Sequence, residues 1–261
     1  MTETIPDILA RIVARKREEL SRAAPIGALE RTAEERVSEK RDFRAALTAK
    51  TPAIIAEVKK ASPSRGILLQ DFDAARIASD YERGGASAIS VLTDEFFFLG
   101  SLADLRRARG QVKVPVLRKD FTIAPRHVVE AAAHGADAIL LIAAILTERE
   151  IRDYRELAAS YRMASLVEVH DRRELQIAIA AGSEIIGVNN RNLSTFEVTL
   201  ETSLHLAEHM PAGAVLVSES GIRDAADIAR LKAAGYTAFL VGEHLMKSED
   251  PAAAIRQLAA A

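Results

Sequence analysis

Short aliphatic runs recur along the chain from position 53 onward, at residues 53–58, 88–92, 114–119, 138–142, 165–169, 184–188, 214–218 and 238–241. Most are apolar at successive positions and lack strict alternation, the pattern of parallel strands covered on both faces. Between them lie stretches with helical spacing, among them 74–84, 126–134, 148–159, 172–181 and 225–234. Most of these end at a glycine just before the next run (Gly84-Gly85, Gly135, Gly182, Gly235), where a left-handed cap costs glycine little. The runs start about 26 residues apart on average, a strand-plus-helix period. Eight such units predict an α/β fold, a (β/α)8 TIM barrel. A doubly wound open sheet is the rival. It is weakened because Lys59-Lys60-Ala61-Ser62-Pro63-Ser64, and no glycine-rich dinucleotide fingerprint, follows the first run.

The first fifty residues differ from the rest. Ile5, Ile8, Leu9, Ile12, Val13 and Leu20 fall on one face of an amphipathic helix over 5–21, opposite Arg15-Lys16-Arg17-Glu18-Glu19. That charged cluster reads as a solvated face, with contact to an anion as the alternative. A second helix is predicted over 42–48. Residues 1–261 are therefore expected to form a single barrel domain, of which 1–50 is an N-terminal helical extension.

Composition narrows the class. Of 261 residues, 49% are hydrophobic and 28% charged, which argues against disorder. Thirty-five basic and 37 acidic side chains leave a net charge of −2, without the basic surplus of a nucleic-acid binder. Without cysteine there is no disulfide, thiolate metal site or cysteine nucleophile. The longest apolar run, 138–146, falls far short of the roughly 18 residues a membrane span needs. Residues 1–10 carry acids and no apolar core, unlike a secretory signal or a basic transit peptide. The expectation is a cytoplasmic protein with neither nucleic acid nor membrane as partner. The six histidines show no metal-binding spacing, so no metal site is expected; His205 and His209 read as surface helix positions.

In a barrel, catalytic groups gather at the C-terminal ends of the strands. The first run ends Glu57-Val58-Lys59, which puts an acid and a cation on one face: barrel-mouth chemistry or a structural ion pair. The third ends Arg118-Lys119-Asp120-Phe121, where Lys119 is an electrostatic acid, a Schiff-base nucleophile or a strand cap paired with Asp120. Glu168 sits between two valines. Unpaired, its pKa would be raised; beside Lys119 or another cation it would stay ionised. The sixth run leads into Asn189-Asn190-Arg191-Asn192, a carboxylate or phosphate contact or a tight polar turn. Ser218-Glu219-Ser220-Gly221 and Gly242-Glu243-His244 follow runs seven and eight, the usual place for a barrel phosphate site. Phe96-Phe97-Phe98 is either a loop anchor or a wall over an aromatic substrate.

Taken in order, five segments resemble the indole-3-glycerol phosphate synthase family. They are Ile54-Ile55-Ala56-Glu57-Val58-Lys59-Lys60-Ala61-Ser62-Pro63-Ser64-Arg65-Gly66, Ser90-Val91-Leu92-Thr93-Asp94, Leu117-Arg118-Lys119-Asp120-Phe121, Gly187-Val188-Asn189-Asn190-Arg191 and Ser218-Glu219-Ser220-Gly221-Ile222. The opening helix resembles that family too, and the likeness spans nearly the whole chain. It implies a phosphate-binding barrel with its helical extension over the mouth. The implied reaction is in tryptophan biosynthesis: 1-(2-carboxyphenylamino)-1-deoxyribulose 5-phosphate gives indole-3-glycerol phosphate, carbon dioxide and water. No cofactor or metal is implied, and a monomer or weak homodimer is expected.

Carried over, the resemblance makes Lys119 the general acid of ring closure and Glu168 its partner in dehydration. Lys59 would hold the anthranilate carboxylate and is a second proton donor; which lysine serves which step stays open. Glu57 and Asn189 would orient substrate and lysines, and Arg191 would join the carboxylate or hydroxyl network. Ser62 would touch the phosphate side or first loop. Ser220, Gly221, Gly242 and Glu243 would cradle the phosphate, Glu219 would line the pocket, and Phe98 and Phe121 would wall the ring. Asn192, Leu99 and Ala124-Pro125-Arg126 depart from the family's usual residues beside the site. Two other phosphate-barrel readings, a lysine aldolase and a phosphoribosylanthranilate isomerase, are set against this one. A non-catalytic scaffold would have no need of Glu57, Lys59, Lys119, Glu168 and Asn189 together.

Overall fold

A computed structural model describes residues 7–63 and 65–261; Ile5 of the helical pattern and Ser64 of the first-strand motif lie outside the described residues. Eight parallel strands close into a barrel: β1 (Ala53–Val58), β2 (Ala88–Leu92), β3 (Val116–Lys119), β4 (Ala138–Ile142), β5 (Ala164–Val169), β6 (Ile185–Asn189), β7 (Val215–Glu219) and β8 (Ala238–Val241). The sheet runs in chain order and closes through β1–β8 pairing, Ala53 to Ala238 through Ala56 to Val241. An open sheet is thereby excluded. The predicted runs match the strands to within two residues.

Two apolar cores meet at the sheet. Ile54, Ala56, Ile89, Val91, Val167, Ile186 and Phe239 face outward against the helices. Ala53, Ile55, Leu117, Leu140, Leu166, Ile185, Val217 and Leu240 fill the barrel. Alternation is thus strict in space although both faces are apolar in sequence. Carrying it one step further along each strand places Glu57, Lys119, Glu168, Asn189 and Glu219 at the last inward positions. Several of the helices that follow strands start on side-chain caps, for example Asp171 on the amide of Glu174 and Asp224 on that of Asp227. Each such cap contributes about 1 kcal/mol.

The N-terminal extension closes both ends of the barrel. It comprises α1 (Asp7–Ser21), α2 (Gly27–Glu35) and α3 (Phe43–Thr48). The helix predicted over 42–48 is thus the third, capped by Asp42, and α2, packed on α6 (Pro125–Ala133), was not anticipated. Phe43 and Leu47 of α3 join the interior core at the strand N-termini; Leu9 and Ile12 of α1 join it at the mouth. Full burial of each such side chain stabilises by about 1.5–3 kcal/mol. Lys16, in the cluster read as solvated, is instead buried, with its ammonium 3.0 Å from Asp94 and 3.1 Å from Asp120. Its neighbours Arg17 and Glu18 remain exposed to solvent.

Under the barrel, Asp137 accepts from the amides of Arg41 (2.9 Å) and Val116 (2.8 Å) and pairs with Arg109 at 3.0 Å. It is fully buried. Asp137→Ala would strand two amides and a guanidinium, and is expected to destabilise the fold by about 3–5 kcal/mol. A urea midpoint equal to that of the unmodified protein would show that this knot carries no stability. Among the described residues, no helix is long and apolar enough to cross a membrane.

Candidate active site

A cavity of about 930 Å³ opens at the C-terminal ends of the strands. Every residue singled out above for a role borders it: Glu57, Lys59, Ser62, Phe98, Lys119, Phe121, Glu168, Asn189, Arg191, Glu219, Ser220, Gly221, Gly242 and Glu243. They come from the ends of seven of the eight strands and the loops beyond them.

At its floor three carboxylates surround two lysines. Lys119 Nζ is 3.1 Å from Glu168 Oε2 and 3.5 Å from Glu219 Oε2. Lys59 donates to Glu57, two residues before it at the end of β1. Asn189 Nδ2 donates to Glu168 Oε1 at 3.2 Å, and Asn189 Oδ1 accepts from the amide of Arg191 at 3.0 Å. Lys119 is no strand cap for Asp120. The outward-facing Arg118 holds Asp120 at 3.0 Å, and Lys16 pairs with its other oxygen. Inward and outward charges of this strand end therefore belong to separate networks.

Burial alone would strip Lys119 of its proton, but Glu168, Glu219 and Glu57 outweigh it and raise its pKa above the ordinary lysine value. Burial likewise opposes ionisation of Glu168, yet Lys119, His170 and Asn189 hold it below the ordinary carboxylate range. Of the two readings of this valine-flanked acid, the ionised one is correct. Glu219 is the raised carboxyl. Burial, with the charges of Glu168 and Glu57, pushes it up to about 8 against the pull of Lys119. Glu219 Oε1 has no hydrogen-bond partner. It occupies the space a side chain at position 187 would fill: a Cβ on Gly187 would collide with that oxygen.

The raised carboxyl fixes a sign. Between its ordinary value of 4.5 and about 8, Glu219 binds a proton in the folded state that the unfolded chain has released. Stability then falls as pH rises across that window. Glu219→Gln has no such proton to lose. Its stability relative to the unmodified protein is expected to climb from pH 4.5 to pH 8 and level off above. Chemical unfolding at a series of pH values measures this, and a constant difference would show that Glu219 is not the group responsible.

One wall is aromatic. The rings of Phe98 and Phe121 lie 6.0 Å apart at 35°. Ile8, Leu9 and Ile12 of α1 face the same cavity. Phe96 is largely exposed, so of the three adjacent phenylalanines Phe98 is the one that serves as wall. Leu99 follows with a φ of 53°, a conformation uncommon for a branched side chain.

The opposite wall is built from loops and cations. Ser220 and Gly221 both have positive φ, 67° and 83°. A Cβ on Gly242 would run into the Glu57–Lys59 pair, so only glycine lets this loop approach β1. Glu243 departs from a simple phosphate ligand: its carboxylate pairs with Lys247 at 2.6 Å, Arg65 at 3.5 Å and Arg191 at 3.8 Å. Its side chain gathers cations, and only its backbone amide is suited to an anion. Arg65 and Lys247 were missed as site residues; Arg65 stood in the first-strand motif, and Lys247 lies one helical turn beyond Glu243. His170 was missed too. Its Nε2 lies 3.4 Å from Glu168 Oε1 and its Nδ1 2.9 Å from Glu174.

The departures from the family pattern have local explanations. Asn192 Oδ1 accepts from the amides of Ser194 and Thr195, as an aspartate oxygen would. Pro125 starts α6, and Arg126 donates to the carbonyl of Ala24 at 2.6 Å, tying this loop to the extension.

Comparisons with known proteins agree with this geometry. Residues 9–258 match the model of the family described as indole-3-glycerol phosphate synthase. An indole-3-glycerol phosphate synthase of Albidiferax ferrireducens is 49% identical over 97% of this chain and 98% of its own. One from Desulfotalea psychrophila is 52% identical over 92% and 94%. Among solved structures, KGPDC from Streptococcus mutans superposes with a TM-score of 0.61 at 15% identity, over 80% of this chain and 96% of that one. At that identity the likeness is one of fold. With a family match across almost the entire barrel and its extension, the chain belongs to the indole-3-glycerol phosphate synthase family.

Proposed function

We propose that this chain closes the indole ring of 1-(2-carboxyphenylamino)-1-deoxyribulose 5-phosphate, releasing carbon dioxide and water, with the residues of the barrel mouth in the following roles. The carboxyphenyl ring lies against Phe98, Phe121 and α1. The phosphate lies at the other end, on the backbone of Ser220, Gly221, Gly242 and Glu243, with Ser62 and the nearby arginines in reach. This sets the ketone over Lys119, and orientation of this kind lowers the barrier without any bond being made by the phosphate grip.

Ring closure turns the carbonyl oxygen into an alkoxide as the aromatic carbon attacks. Lys119, kept charged by its carboxylates, donates to that oxygen where the charge develops. Loss of carbon dioxide then restores the benzene ring. Lys59, paired with Glu57, faces the carboxylate before it leaves. Dehydration needs a proton on the departing hydroxyl and a base for the proton beside nitrogen; Glu168, ionised and fixed by Asn189, is that base. Arg191 and Glu219 complete the polar network.

The observation that carries the reading is the pairing of Lys119 with Glu168 between an aromatic wall and a cationic one. It also favours this lyase over a Schiff-base aldolase. A nucleophilic lysine needs a lowered pKa, and that of Lys119 is raised. The test is a fluorescence assay of the purified protein with the carboxyphenylamino substrate in the presence of chelator. A rise in indole fluorescence is the expected result. Silence from folded protein would overturn the proposal, and borohydride trapping with sugar phosphates would then examine the aldolase chemistry.

A further inference from the structure

Glu57, Glu168 and Glu219 face only two lysines at the cavity floor. A further titratable group reaches Glu168 from just beyond the end of its strand. His170 follows β5, two residues after Glu168, where α8 (Arg172–Ala180) begins. Its Nε2 is 3.4 Å from Glu168 Oε1, the oxygen that also accepts from Asn189. Its Nδ1 and its backbone amide both meet Glu174 Oε2, at 2.9 and 2.8 Å. The imidazole thus stands between two carboxylates, hydrogen-bonded through Nδ1 to Glu174 of α8 and within ion-pair range of Glu168 at Nε2, which has no hydrogen-bond partner of its own.

We propose that His170 is a positioning residue for the reaction: as an imidazolium it fixes the aim of Glu168 and keeps it ionised while Lys119 attends to substrate. This rests on the reading of Glu168 as the dehydration base. A ring with a carboxylate close to each nitrogen is favoured as the imidazolium, which carries an N–H on both. Burial works against that charge, but contacts with Glu168 and Glu174 prevail and push His170 up to about 10. Behind the ring lies a second cleft, of about 340 Å³, lined by His170, Asp171, Arg172, Thr202, His205, Leu206 and His209. The charged or titratable groups around His170 are therefore Glu168 on β5, Glu174 on α8, Asp171 and Arg172 on its own turn, Glu219 on β7, and His205 and His209 from the region of α9 (Glu201–Ala207). The two carboxylates in direct contact are its partners.

Lys119 cannot serve in place of His170. During ring closure its proton moves toward the carbonyl oxygen, and its hold on Glu168 weakens at that moment. A cation that touches no reacting atom keeps the base charged throughout. Proton release from His170 into the site would undo this, so its task is electrostatic.

The test is His170→Asn, which keeps a donor of similar reach without the charge. We expect kcat for indole formation to fall at least tenfold on the plateau of its pH profile, where Glu168 stays ionised but loses its aim, with KM within about twofold. The acid limb of the kcat profile is expected to move to higher pH by about 1 unit or more, because Glu168 loses an adjacent cation. Glu174→Gln leaves the imidazole in place and is expected to give a smaller shift in the same direction. In the unmodified protein labelled with nitrogen-15 histidine, one ring is expected to keep both N–H groups above pH 8, and to lose that property in Glu174→Gln. A neutral ring at pH 7 would overturn the proposal even if neither variant folds. So would a kcat profile of His170→Asn that keeps its shape. The ring's protonation is read without substrate, so its outcome is distinguishable from failure of the proposed reaction.

Discussion

Lys119→Met is expected to fold and to lose indole formation by about 10²–10⁴-fold in kcat, the contribution of a positioned acid. The geometry explains why the loss is in turnover. Nζ sits 3.1 Å from Glu168 and 3.5 Å from Glu219 on the cavity floor, away from the cations that gather around Glu243 at the other wall. Phosphate binding is left alone. The methionine leaves Glu168 with Asn189 and His170, and Glu219 takes the neutral form that its surroundings already favour. The fold is spared an uncompensated charge for that reason. Lys119→Arg sharpens the test, since it keeps the charge but presents a planar fork in place of a compact ammonium. It is expected to match the native thermal unfolding and still lose most activity. Circular dichroism and steady-state fluorescence together decide this. Activity within tenfold of native in a folded Lys119→Met protein would remove Lys119 from the role of acid.

The barrel was legible because its strands are aliphatic on both faces and its helices stop at glycines with positive φ, among them Gly135, Gly182 and Gly235. The same doubly apolar character hid which parity faces inward. Arg118, Lys119 and Asp120 could not be sorted by pattern alone. Their sorting depends on Lys16, more than a hundred residues earlier in the chain, which claims Asp120 and so leaves Lys119 to the interior. Helix α2 escaped notice because it gives the core little more than Leu29 and Ala33, too few for a periodic signal.

At the site, residue types and strand-end positions were enough to gather the right side chains. Their protonation states were not. Glu168 and Glu219 are both glutamates ending buried strands, yet one is held charged and the other is pushed up to about 8. Lys119 reaches both, and the difference lies in Asn189 and His170, which add to its hold on Glu168, a matter of three-dimensional register: Asn189 pairs with Glu219 across the ladder but turns its side chain to Glu168. His170 went unread because nothing in its local sequence distinguishes a histidine set between two carboxylates from a surface histidine.

Glu168→Gln should separate two steps that occur in one site. The amide keeps the shape of the carboxylate and its place beside Lys119 and Asn189, but it accepts no proton. Indole formation is expected to fall about 10²–10⁴-fold. Ring closure needs an acid, and decarboxylation needs only the carbon–carbon bond to break as aromaticity returns; neither calls on a base at Glu168. In a single turnover with substrate labelled in its carboxyl group, carbon dioxide release is therefore expected to stay within about tenfold of native while indole appears far more slowly. An intermediate that has lost its carboxyl group but kept its hydroxyl would accumulate. If carbon dioxide and indole slow together, Glu168 acts before dehydration, and the division of labour between it and Lys119 must be redrawn. The pair is then a single unit in which removal of either partner disables ring closure, and the Lys119→Met and Glu168→Gln losses would fail to add in the double variant.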